Sequence, residues 1–298
     1  MENIKQKWIE ALGSPSYEIP KEPVQLVKKY EYEDFDLEVY VQRNDPKSFQ
    51  RVMIAFPKNL TTPRPAVVIP FYHPEAMLGF DPVTDEPLEN FSDITMMKDL
   101  VKKGYITATA DAYYITYTRN IYGKGDFERW GEAGKYLRLD NPEWTGVGKL
   151  VSDTTLLIDA VCSDSRVDTN RIGIMGHSLG GKMAFYTGCL DERIKVIVAS
   201  DFGICWEQSN WEDIWYWYDK LDELKEKNMD HSQLLSISSK PFCLIAGQYD
   251  DEKSLEMMKK AKGYLPDDEK LKFINHATGH RPPKWALNEA YDFLEKWL

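Results

Sequence analysis

The chain has 298 residues and carries 48 acidic against 37 basic side chains, giving a net charge of −11 and a pI near 5.1. Its basic residues are scattered rather than grouped, which argues against a nucleic-acid partner and for a soluble chain kept apart by its own charge. The length suits one large α/β domain or two small ones, and no internal repeat is visible.

Cys162, Cys189, Cys205 and Cys243 form no C-x-x-C pair, so neither a disulfide framework nor a zinc site is implied. Residues 1–8 have no apolar signal segment, and no run reaches membrane-spanning length. The expectation is a cytoplasmic protein with no membrane partner.

Residues 1–24 read as an N-terminal extension: a helical start over Ile4–Leu12, then a lead-in carrying Pro15, Pro20 and Pro23. Residues 25–298 read as one domain. Tyr30–Tyr40 and Phe49–Phe56 alternate polar and apolar residues, as antiparallel strands with one wet face do. Ala66–Pro70 is continuously apolar, the pattern of a strand buried on both faces. Ser92–Lys103 predicts a helix capped by Ser92, and Tyr105–Ala110 the next strand, with Asp111 at its tip. Residues 112–147 hold Tyr113, Tyr114, Tyr117, Tyr122, Phe127, Trp130, Tyr136 and Trp144 without a clear period, and are expected to form an ordered loop over the sheet edge. Val147–Cys162 is a strong helical pattern.

Further strands are expected at Ile172–Met175, Ile194–Ala199, Pro241–Ala246 and Leu271–Ile274, with helices at Lys182–Leu190, Lys253–Gly263 and Pro282–Leu298. Residues 202–239 interrupt this alternation with Trp206, Trp211, Trp215, Tyr216, Trp217 and Tyr218, and read as an inserted aromatic cap or lid. The whole predicts an α/β fold: a mostly parallel sheet flanked by helices, with antiparallel strands at its N-terminal edge. Ligands of such sheets sit at the C-terminal strand ends, where His73, Asp111, Ser178, Asp201, Asp250 and His280 all fall.

The chemistry centres on Gly176-His177-Ser178-Leu179-Gly180 between a strand and a helix, the pattern of a nucleophile elbow. Gly176 and Gly180 leave room where strand and helix backbones crowd the serine. A serine hydroxyl needs a base within hydrogen-bond reach and an acid that orients the base. The chain order that accompanies this elbow is serine, acid, histidine. His280, in a loop after the last strand, is the expected base. His276 is second, as a strand-end residue with local hydrogen bonds, and His231 reads as a surface residue. Asp250 is the expected acid, with Asp251 a close alternative that also suits helix capping, and Asp201 third. The Leu179 N–H is the expected first oxyanion donor. The second should come from Tyr72 or His73, since Pro74 has no N–H; His73 has an alternative role in positioning its loop. His177 should point into the fold.

At these residues the chain resembles α/β-hydrolases, and among them the dienelactone-hydrolase-like group with its acetyl and acetylxylan esterases. The resemblance rests on residues 167–181, on 190–195, on 234–250 and on Gly279-His280. It departs from dienelactone hydrolase proper in holding Ser178 where that enzyme has cysteine, and it lacks an H-G-G-G run at the oxyanion loop. The resemblance implies hydrolysis of a small-molecule carboxylic ester through an acyl-enzyme, with no metal and no organic cofactor.

Trp206, Trp211 and Trp215 are candidates to stack on a sugar substrate, although packing of the lid itself is the weightier reading. Two other functions fit less well. A serine peptidase of the prolyl-oligopeptidase kind shares the elbow, but no propeller precedes the catalytic region. A catalytically silent fold used for binding would not need all three triad residue types in order. An aspartate-dependent dehalogenase is excluded by Ser178.

Overall fold

The computed structural model describes residues 2–120, 123–261, 263 and 269–298. Among them, nine strands form one sheet: β1 (Gln25–Glu31), β2 (Phe35–Asp45), β3 (Ser48–Pro57), β4 (Arg64–Val68), β5 (Ile106–Ala110), β6 (Val167–His177), β7 (Ile194–Ser200), β8 (Phe242–Ala246) and β9 (Leu271–Asn275). The order is β1-β2-β3-β5-β4-β6-β7-β8-β9. β1, β2, β3 and β5 pair antiparallel in turn, and every pair from β5 through β4 to β9 is parallel. This is the α/β-hydrolase architecture expected from the alternation.

The apolar strand runs have a direct cause. Val52, Ile54, Ala66, Val68, Ile172, Ile174, Ile197 and Ala199 enter a core on one face of the sheet. Their neighbours Met53, Ala55, Val67, Ile69, Met175, Val196 and Val198 enter a second core on the other. Each central strand is therefore buried on both sides, so its side-chain period of two disappears into a continuous hydrophobic run.

The helices are α1 (Glu2–Leu12), α2 (Pro74–Leu78), α3 (Met96–Lys102), α4 (Tyr113–Tyr117), α5 (Asp126–Asp140), α6 (Gly146–Cys162), α7 (Leu179–Leu190), α8 (Ile214–Trp217), α9 (Lys220–Glu226), α10 (His231–Ser238), α11 (Glu252–Lys260) and α12 (Lys284–Trp297). Two expectations change. α3 begins at Met96 with Thr95 before it, because a 3-10 turn occupies Glu89–Phe91. The aromatic stretch 112–147 is not an irregular loop: α4 and the 15-residue α5 lie within it. Its apolar positions Trp130, Ala133, Gly134 and Leu137 do follow a helical face, but flanking aromatics hide the period. Tyr122 lies outside the described residues, as does part of the helix expected to reach Gly263.

The insertion between β7 and β8 is built into the core. Trp206, Trp211 and Trp217 are buried around His231, and Trp8 of α1 completes the cluster, 5.8 Å from the His231 ring and 6.3 Å from Trp206. Residues distant in sequence thus share one aromatic core, which anchors the N-terminal helix.

Candidate active site

Three strand ends converge at one place. β6 ends in His177 and hands over to α7 through Ser178, whose backbone has φ +57° and ψ −120°. A non-glycine residue holds such a conformation at a cost of about 1–3 kcal/mol, so the surrounding structure must impose it. The Ser178 N–H donates to the Ser200 carbonyl at 2.8 Å and the Lys182 N–H to the Ser178 carbonyl at 3.1 Å. A Cβ on Gly176 would strike the Gly180 carbonyl, and one on Gly180 would strike the Pro70 carbonyl. The two glycines are thus required by close backbone approach, and the second brings the loop after β4 against the α7 N-terminus.

Ser178 Oγ lies 2.9 Å from His280 Nε2, and His280 Nδ1 lies 2.7 Å from Asp201 Oδ2. Asp201 is fully buried, whereas the His280 side chain is 29 % exposed and reachable from solvent. Burial pushes the Asp201 carboxyl up. The His280 ring and the backbone N–H groups of the 247–250 turn outweigh that and hold it below its ordinary value. Four N–H groups, those of Gly247, Gln248, Tyr249 and Asp250, reach it at 2.9–3.1 Å. An ionised carboxylate only accepts, so Nδ1 carries the imidazole proton and Nε2 faces the serine hydroxyl as acceptor. The Tyr249 ring, 4.9 Å from that of His280, flanks it on one side, and His177 lies 4.5 Å away.

The acid expected from the chain order is corrected by this geometry. Asp250 does not meet His280. Its carboxylate accepts from the N–H groups of Phe202, Gly203 and Ile204 at 2.8–2.9 Å and from Ser254 Oγ at 2.9 Å. The physical reason lies in the two turns: the turn after β8 folds against residues 202–204, whose N–H groups take up the Asp250 carboxylate, and leaves Asp201 facing His280. Asp251 caps α11 by accepting from the Lys253 N–H at 2.9 Å.

Leu179 opens α7, which places its N–H at the helix N-terminus beside Ser178. Tyr72 and His73 lie in the loop that Gly180 contacts. The His73 ring turns away to bond Asp126 Oδ2 at 3.0 Å, tying this loop to the start of α5. Asp126 had no motif to mark it. Its signal is only that an acidic residue opens a helix.

The expected sugar-stacking residues separate. Trp206 and Trp211 are buried, and their indole N–H groups donate to the Met229 and Gly203 carbonyls. Both pack the aromatic core, and Trp206 also lines a surface cavity with Glu207, Asp230 and Gln233, none of them a residue of the Ser178 site. Trp215 instead continues an aromatic wall that starts at Tyr72 and runs through Trp130, with Phe127 beside it. His231 is also corrected: it is fully buried, bonds the Ile204 carbonyl at 2.6 Å and the Tyr186 hydroxyl, and burial drives its pKa down to about 4. His276 makes the local bond expected of it, to Thr278 Oγ1 at 2.7 Å, and His177 bonds Ser200 Oγ at 3.1 Å inside the fold.

Lys182, one turn beyond Ser178, escaped the sequence reading. It is buried, donates to the Phe202 carbonyl and to Ser209 and Asn210, and lies 4.4 Å from the Trp211 ring centroid. Burial pulls its ammonium down to about 7, against the attraction of Asp250, Asp213 and Asp201.

Among the described residues no group of three or more His, Cys, Asp or Glu is placed to hold a metal ion, and no helix is long and apolar enough to cross a membrane.

The chain is 28 % identical over 165 residues to a Bacillus subtilis (strain 168) protein named "Putative hydrolase YtaP", covering 51 % of this chain and 54 % of that one. It therefore spans only about half the length of the curated relative it matches. Similar solved structures include a glucuronoyl esterase from Solibacter usitatus (TM-score 0.75, 14 % identity, covering 99 % of this chain and 91 % of that one). A glucuronoyl esterase from Teredinibacter turnerae T7901 aligns with TM-score 0.68 and 18 % identity over 96 % and 80 % of the two chains. An acetyl xylan esterase from Paenibacillus sp. R4 aligns with TM-score 0.61 and 18 % identity over 100 % and 92 %. At these identities the likeness is one of fold. The family model described as "Prolyl oligopeptidase family" matches residues 102–298, which include the elbow, Asp201 and His280. The protein is thus an α/β-hydrolase-fold chain that belongs to the prolyl oligopeptidase family.

Proposed function

We propose that this protein is a serine hydrolase that cleaves carboxylic esters through an acyl-enzyme, with Ser178 as nucleophile, His280 as base and Asp201 as the acid that orients it. The observation that carries this reading is the continuous relay from Ser178 Oγ to His280 Nε2 at 2.9 Å and from His280 Nδ1 to Asp201 at 2.7 Å. His280 takes the serine proton as Oγ attacks the ester carbonyl, and the imidazolium so formed is stabilised by the buried Asp201. The negative charge on the carbonyl oxygen is received by the Leu179 N–H and by a second N–H from Tyr72 or His73. His280 returns its proton to the leaving alcohol. A water molecule then repeats the sequence to release the acid. Every proton movement is carried by side chains of the chain itself, so the scheme calls for no cofactor.

The substrate class we favour is a small ester with a carbohydrate alcohol or acid part. Support comes from the structures this chain aligns with, glucuronoyl and acetyl xylan esterases. It comes also from the aromatic wall of Tyr72, Trp130 and Trp215, with Phe127 63 % exposed beside it. The dienelactone-hydrolase-like grouping rests on the sequence of residues 167–181, 190–195, 234–250 and 279–280. The four free cysteines favour a reducing compartment and hence the cytoplasm.

Peptidase action is the second reading, favoured by the family match over residues 102–298. One experiment separates the readings: fluorophosphonate labelling with turnover of p-nitrophenyl acetate, acetylated xylan oligomers and a prolyl anilide, for wild type and Ser178→Ala. Ester turnover that falls by about 10⁴-fold or more in the variant, with labelling lost, is the expected result. Anilide turnover outpacing all esters would move the assignment to a peptidase. Labelling that survives Ser178→Ala would remove Ser178 from the mechanism.

A further inference from the structure

The acid that meets His280 stands on strained backbone. Asp201 has φ +44°, in the left-handed region that favours glycine, and Gly203 follows at φ +75°. A non-glycine residue keeps such a conformation only where its surroundings over-determine it. The direction of the Asp201 carboxylate therefore depends on what holds the 201–203 turn. On one side the Asp250 carboxylate accepts from the N–H groups of Phe202 and Gly203. On the other, the two carbonyls are taken up. The Trp211 indole N–H donates to that of Gly203 at 2.6 Å, and Lys182 Nζ to that of Phe202 at 2.9 Å.

Lys182 touches both halves of the site. Its main-chain N–H donates to the Ser178 carbonyl at 3.1 Å, while its side chain crosses to the turn that carries Asp201. Gly181 makes that reach possible. A Cβ there would stand 2.9 Å from the Phe202 Cβ and 3.1 Å from the Ser200 carbonyl oxygen, and would hold α7 away from the turn.

Filling space does not account for an ammonium at this position. Nζ is buried, and its three acceptors are neutral: the Phe202 carbonyl, Ser209 Oγ at 2.8 Å and Asn210 Oδ1 at 3.3 Å. The ring centroids of Trp211 and Tyr216 lie 4.4 and 5.1 Å from it. A charge buried among neutral groups is costly, and a methionine would fill a similar volume without that cost. What lysine adds is three N–H donors at the end of a long arm, one for each acceptor.

We propose that Lys182 is a positioning residue of the Ser178 reaction, fastening the Asp201 turn to the first turn of α7 so that the carboxylate meets His280 Nδ1. The role rests on the triad assigned above and adds to it a group that acts through Phe202 and Asp201.

Lys182→Met tests it. Ser209→Ala is the control, since it removes one partner of Nζ in the insertion and leaves the Phe202 bond in place. Three readings are taken on wild type and both variants: p-nitrophenyl acetate kinetics, urea unfolding, and the downfield proton resonance of His280 Nδ1–H, assigned by its absence in His280→Gln. In Lys182→Met, kcat should fall about tenfold or more with KM within about twofold, and the resonance should shift or broaden. Ser209→Ala should keep kcat within about twofold and leave the resonance in place. A folded Lys182→Met with wild-type kcat and resonance overturns the proposal. So does an equal kcat loss in Ser209→Ala, which would place the effect in the insertion. Should the methionine variant fail to fold, Lys182→Gln, whose arm is one bond shorter, is read by the same two outcomes. Fluorophosphonate labelling that survives Ser178→Ala would instead strike the triad itself, a result that no Lys182 variant can mimic.

Discussion

Asp201 and Asp250 end neighbouring parallel strands, and both carboxylates are buried. Each one caps the other's turn. Asp201 gathers the N–H groups of residues 247–250, and Asp250 gathers those of residues 202–204. The difference lies in the remaining partner: Asp201 has His280, while Asp250 has Ser254. One carboxylate therefore bonds the histidine that meets Ser178, and the other holds the loop from which the first is presented. The contrast shows that a buried acid at a strand end is insufficient to mark the triad. Its carboxylate must also be left open toward the histidine by the turns around it.

The sharpest way to break this comparison is to neutralise each acid in turn. Asp201→Asn should lower kcat on p-nitrophenyl acetate by about 10⁴, because the imidazole loses the partner that fixes its tautomer. Asp250→Asn should leave kcat within about tenfold while lowering unfolding free energy by about 2–4 kcal/mol, since it weakens four buried hydrogen bonds without touching the base. Steady-state kinetics and urea unfolding of both variants read the two effects separately. A larger kcat loss in Asp250→Asn than in Asp201→Asn would reverse the roles.

Proton linkage distinguishes the pair next. Burial pushes the Asp250 carboxyl up to about 6, with its backbone donors and Ser254 pulling the other way. Asp201 lies below its ordinary value. Between about pH 4 and 6 the folded chain thus binds more protons at Asp250 than the unfolded chain does, and this group's contribution to stability declines as pH rises through that window. Asp201 has the opposite sign: its contribution is present above its ordinary value of 3.8 and is lost as pH falls through its lower folded value. Asp250→Asn should therefore lose stability more steeply than wild type on acidification from pH 6 to 4, by up to about 3 kcal/mol. Urea midpoints across that range decide it, and parallel curves would show that Asp250 is ionised throughout.

The smallest expected effect is that of Ser254→Ala, which removes one donor from Asp250. It should cost about 1 kcal/mol in unfolding free energy and leave kcat unchanged. A fall in kcat would mean that the Asp250 turn moves Asp201 itself.

Much of this was legible from local chemistry. Buried parallel strands announce themselves as continuous apolar runs because both faces are covered, and β4, β6, β7 and β8 were found that way. The elbow was legible because backbone crowding at Gly176 and Gly180 tolerates no side chain there. His280 followed from chain order. Tertiary structure alone decided the rest. Whether Asp201 or Asp250 faces His280 depends on how the turns after β7 and β8 fold onto each other, a choice made by contacts between segments far apart in sequence. His231 appeared exposed in its charged neighbourhood, yet Trp8 and Trp206 from distant segments close over it. Trp206 and Trp215 are alike in composition and local context, and only packing buries one and turns the other toward Trp130. Local backbone sterics and burial act over a few residues and leave a mark in the sequence. Partner choice among several equivalent carboxylates, histidines and tryptophans is settled by long-range contacts, and those exist only once the chain has folded.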